Sequence, residues 1–92
     1  MPGTMQNAGS YKQIKTSGNV MAIPCTLLGI FVSSASATPT IAVYDDAATG
    51  TSTQAVDTFT PTGATYYPLN ISLAKGANIV FGGTVSATAV IA

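Results

Sequence analysis

The chain has 92 residues, of which 47% are apolar and 7% charged, with three lysines balancing three aspartates. It contains no His, Glu, Arg or Trp, so general acid–base work lacks a group tunable towards neutral pH and a nucleophile lacks a neighbouring base. This composition argues against an enzyme and against a polyanion binder, which would need several Lys or Arg on one face; it leaves one small domain with a binding or building role.

An ordinary soluble domain is about 25% charged. Here the surface must be covered by Thr, Ser, Ala, Asn and Gln, a composition suited to a protein packed against other protein.

Residues 1–10, MPGTMQNAGS, have two Gly, one Pro and no hydrophobic periodicity, so they read as an extended N-terminal arm. Residues 11–92 read as a single all-β domain. Short runs rich in Thr, Val, Ile, Phe and Tyr are separated there by Gly, Pro, Ser and Asp clusters, and no segment carries a helical period. The expected strands are 11–16, 25–34, 40–45, 53–59, 66–73, 77–82 and 84–91. Seven short strands favour a small β-sandwich or jelly roll.

Lys12 and Lys15, the apolar stretch 20–32 and Ala35-Ser36-Ala37 together imitate a secretory signal with its cleavage site. Cleavage there would leave residues 38–92, few for a core without disulfides or metal, so the stretch reads as a buried strand. Pro24 and Thr26 interrupt it, and it is too short to span a membrane. Cys25 is a lone thiol, which excludes an intrachain disulfide and reads as a small buried hydrophobe.

Asp45-Asp46-Ala47-Ala48-Thr49-Gly50 has two adjacent carboxylates but lacks the alternating ligands and the glutamate of a calcium loop, so it reads as a strand-ending turn with solvated aspartates. Thr60-Pro61-Thr62-Gly63 reads as a β-turn with Pro at its second position, Lys75-Gly76 as a tight turn, and Phe81-Gly82-Gly83-Thr84 as a two-residue hairpin.

In 66–73, alternation turns Tyr67, Leu69, Ile71 and Leu73 to one face and Tyr66, Pro68, Asn70 and Ser72 to the other. In 84–91, Val85, Ala87, Ala89 and Ile91 form the inward set. Ile41, Val43, Ile79, Phe81 and Phe31 are expected to complete the core. Asn70-Ile71-Ser72 matches a glycosylation sequon, but inside a strand it carries little weight. Tyr66, opposite in parity to Tyr67, is left exposed, as an interface anchor or as an ordinary surface tyrosine.

Gly29-Ile30-Phe31-Val32, Thr38-Pro39-Thr40-Ile41-Ala42-Val43-Tyr44-Asp45, Phe59-Thr60-Pro61, Tyr67-Pro68-Leu69 and Gly76-Ala77-Asn78-Ile79 leading into Gly82-Gly83-Thr84 give the chain a resemblance. From about Leu27 to Ile91 it resembles the small β-sandwich virion structural proteins of tailed bacteriophages. The resemblance implies a capsid decoration or cement protein, made in the host cytoplasm without a signal peptide and located on the capsid surface. Its implied partners are the major capsid protein and copies of itself, in a trimer before a dimer, with no nucleic acid, membrane, cofactor or metal. Candidate interface residues are Met1, Pro2, Thr4, Met5, Gln6 and Asn7 of the arm, with Tyr11 and Tyr66. The competing expectation is a head-fibre or tail-associated module that binds a receptor or glycan, followed by a neck or tail connector.

Overall fold

The computed structural model describes residues 10–36 and 38–92. They form eight strands and no helix: β1 Ser10–Ile14, β2 Gly18–Met21, β3 Cys25–Ala35, β4 Thr40–Asp45, β5 Gln54–Phe59, β6 Thr65–Leu73, β7 Ala77–Gly82 and β8 Val85–Ile91. The candidate contacts Met1, Pro2, Thr4, Met5, Gln6 and Asn7 lie outside the described residues. Ser10, assigned to the arm on composition, is the first residue of β1.

The strands make two antiparallel four-stranded sheets, sheet A in the order β1-β8-β3-β6 and sheet B in the order β2-β7-β4-β5. This all-β, two-sheet arrangement is that of a small β-sandwich, with eight strands where seven were expected. Pairing follows one rule: β1 with β8, β2 with β7, β3 with β6 and β4 with β5. The chain is therefore one long hairpin turned at the β4–β5 connection and then rolled up. Further β3–β8 and β4–β7 pairs close each sheet.

The rolling explains two turns that local sequence misplaces. Gly82-Gly83 does not close a hairpin, because Gly82 pairs with Thr40 in sheet B while Val85 pairs with Ala35 in sheet A. Gly83 takes a φ of 73°, and its crossing is fastened by Ser36, whose Oγ accepts from the Thr84 N–H at 3.1 Å. Lys75-Gly76 likewise carries the chain from sheet A to sheet B.

The expected turn at Thr60-Pro61-Thr62-Gly63 moves to Gly63-Ala64, where Ala64 has a φ of 56°. Pro61 is buried instead, and the Thr62 N–H donates to the Tyr67 hydroxyl at 2.7 Å. The Tyr67 ring stacks at a tilt on Phe59 with centroids 5.1 Å apart, which joins β6 of one sheet to β5 of the other.

The core lies between the sheets. Leu27, Ile30 and Val32 of β3, Val85, Ala87, Ala89 and Ile91 of β8, Ile41 and Val43 of β4, and Ala77 and Ile79 of β7 are buried there, joined by Ile14 of β1, Val20 of β2 and Leu73 of β6. Both expected alternations hold, since Thr65–Leu73 alternates half-buried with exposed residues up to buried Leu73, and Val85–Ile91 alternates buried with half-buried. Phe31 is the correction: it is 40% exposed and absent from the core, because Ile30 and Val32 occupy the inward parity of β3. Phe81 packs against the core only partly buried.

Candidate interaction face

Outward parity on sheet A brings separate strands into two cross-strand rows. The register places Gln13 opposite Thr88, Thr88 opposite Phe31 and Phe31 opposite Tyr66. The next row runs Tyr11, Val90, Gly29, Pro68. Three of the four large hydrophobic side chains that the described residues expose, Tyr11 at 79%, Phe31 at 40% and Tyr66 at 45%, stand on this one face. Its rows contain no charged residue.

Gly29 shapes the centre. A Cβ on it would collide with the phenol end of Tyr66, so the missing side chain lets that ring lie across β3 from the diagonal position on β6. The ring covers Gly29 between the rows, while Tyr11 stands out from the face.

The expected interface residues Tyr11 and Tyr66 thus come together on one sheet. Phe31 was missed as a member of the face. Its signal was its parity, shared with Gly29 and Ser33 rather than with the β-branched Ile30 and Val32.

The sheet edges are blunted, each in its own way. β1 carries Lys12; β2 has four residues and a register shift. β5 pairs with two irregularities and carries Asp57. β6 has Pro68, which lacks an N–H, and Asn70 in the left-handed region with a φ of 52°. Such devices oppose strand-to-strand addition.

The aspartate cluster is structural. The Asp45 carboxylate accepts from the Ala74 N–H at 3.0 Å, the Lys75 N–H at 2.8 Å and the Gly76 N–H at 3.4 Å. Asp46 accepts from the Ala48 N–H at 2.8 Å and the Gly50 N–H at 2.9 Å. Backbone donors first, with the Lys75 charge adding to them, hold both carboxyls below the usual carboxylate value. The aspartates therefore tie loops together rather than simply facing water. Among the described residues no three acidic, Cys or His side chains gather as metal ligands, and every buried side-chain polar atom has a partner.

Cys25, at the start of β3, is half-buried rather than buried. Partial burial first, then the Asp45 charge, pushes its thiol above the ordinary value, which opposes a reactive thiolate. The sequon residue Asn70 is exposed on edge strand β6.

No family model, curated protein or solved structure matches this chain.

Proposed function

We propose that this chain is a non-enzymatic virion structural protein of tailed phages, of the capsid decoration or cement type. It associates with copies of itself and with the shell. The observation that carries the reading is the uncharged outer face of sheet A, where Tyr11, Phe31 and Tyr66 are exposed together.

A surface built of aromatic, Thr, Val and Gly positions desolvates at less cost than a Lys- and Glu-rich one, and aromatic residues are enriched where proteins meet. Strand orders β1-β8-β3-β6 and β2-β7-β4-β5 correspond to the jelly-roll wrap, which viral capsid and lectin domains share. A fold is not a function; the wrap adds only that the architecture suits shell proteins. The sandwich supplies the oligomer, and residues 1–9 supply an anchor with a reach of roughly 30 Å when extended.

The test is to mix the purified protein with undecorated phage capsids and to image and weigh the particles. Copies spread over the whole shell, with binding weakened by deletion of residues 1–9, are expected. No binding, or a single ring at one vertex, overturns the cement reading.

The same exposed rings favour one second reading, a fibre or tail-associated module that stacks aromatics on sugars. Glycan binding in the absence of capsid binding would select it.

A further inference from the structure

We infer that the outer face of sheet A is a self-association surface on which two copies of this chain pack sheet to sheet about a two-fold axis. The inference deepens the oligomer part of the virion reading and rests on it only for the purpose of association. The pairing itself is a property of the isolated chain.

Charge argues for a second copy as occupant. Lys12 has the opposite parity to Tyr11 and Gln13, Lys15 is exposed just past the end of β1 and outside both rows, Asp57 lies on sheet B, and Asp45, Asp46 and Lys75 gather at the β4–β5 and β6–β7 connections. A copy turned onto the face therefore brings no like charges together within the two rows, whereas a partner chosen by charge would find nothing in them to read.

Shape argues the same way. With Tyr66 laid over Gly29 no pocket opens on the face among the described residues, and a sheet face can meet its own copy under a two-fold, the isologous arrangement commonest among oligomers. Two sheets pack face to face about 10 Å apart with strands within about 30° of alignment. The blunted edges oppose the alternative of adding strand to strand.

Area sets the strength. Four strands about 4.8 Å apart and about seven residues long span roughly 400 Å² in projection. Both copies together then bury about 1,000 Å² once surface roughness is included, at the low end for a specific interface. The dimer is expected to be concentration-dependent. The face departs here from the trimer that the resemblance implies, since an isologous contact closes at two copies.

The experiment is analytical ultracentrifugation of the full chain and of Thr88→Asp and Thr88→Lys, at the middle of the row between Gln13 and Phe31. The native chain is expected to form dimers. Each variant should dissociate about 10-fold or more readily, because like charges then meet across the axis, and an equimolar mixture of the two should recover dimers. Thr58→Lys, exposed on β5, should behave as the native chain.

Unchanged thermal melting at a concentration where the native chain is monomeric separates lost association from lost folding. Phe31→Ser, which removes an exposed ring, serves should a charged variant fail to fold, with the same loss of dimer expected. A native monomer at about 100 µM, a native trimer, variants that dimerise normally, or a mixture that fails to recover dimers overturns the inference. None of these results depends on capsid binding, so the two readings fail separately.

Discussion

The outer faces of the two sheets are built from the same kinds of residue and end in different states. On sheet B, Asn19 and Asn78 point outward at paired register positions. They reach the loop after β4: Asn19 Nδ2 donates to the Asp46 and Ala48 carbonyls at 3.1 and 2.8 Å, and Asn78 Nδ2 to the Gly50 carbonyl at 3.1 Å. Asn78 is left 2% exposed, and Ala42, on the same outward parity, 4%. Among the described residues sheet A has no such loop, and its outward rings are exposed. A β-sheet face is covered by the chain itself where side-chain amides catch a long connection, and sheet A's short connections offer nothing to catch.

The two sheets share one core, so the largest losses should come from between them and fall on both alike. Ile30→Ala in sheet A and Ile79→Ala in sheet B, both fully buried, are each expected to lower the unfolding free energy by about 2–5 kcal/mol in urea titrations. A cost under about 1 kcal/mol at either site would mean that its sheet does not belong to a shared core.

Smaller changes should separate the faces. Asn78→Ala removes a buried donor beneath the loop and is expected to cost about 1–3 kcal/mol. Thr88→Ala on the bare face should stay within about 0.5 kcal/mol when measured on the monomer. Equal costs in chemical denaturation would erase the difference between a covered and an open face.

Acid should act through the loops that close and cover sheet B. The folded values of Asp45 and Asp46 are lowered, so the stability they contribute is complete above the unfolded value of about 3.9. It is lost as pH falls through the folded values. The melting temperature of the native chain should therefore drop below about pH 4. Asp45→Asn with Asp46→Asn should lower it at neutral pH and flatten the acid decline. An unchanged acid profile in the double variant would assign the decline to other groups.

How much of this was legible from the residues depends on the range over which each feature is set. Strands β4 and β7 match their expected limits, and the inward sets of β6 and β8 hold, because alternation is local. β2 was missed: Gly18-Asn19-Val20-Met21 has weak strand formers and no alternation, and its pairing with β7, about 60 residues away, is what makes it a strand.

Phe31 misled because residues 27–32 are apolar without a break, so neither face of β3 is marked within that run. The glycine pair at 82–83 specifies a tight reversal but not the sheet in which the chain resumes. In the same way Tyr66 was identifiable as exposed, while its assembly with Tyr11 and Phe31 depends on β8 entering between β1 and β3.

That central place of β8 orders events in time. It is the last strand of the eight to leave the ribosome, and until it arrives β1 has no neighbour in sheet A. Tyr11 is then a ring on a loose segment, and the two rows do not exist. A chain caught half-made can bury its apolar residues in other ways, but it cannot present the finished face to a sister chain. The proposed pairing would thereby be open only to molecules that have completed the roll.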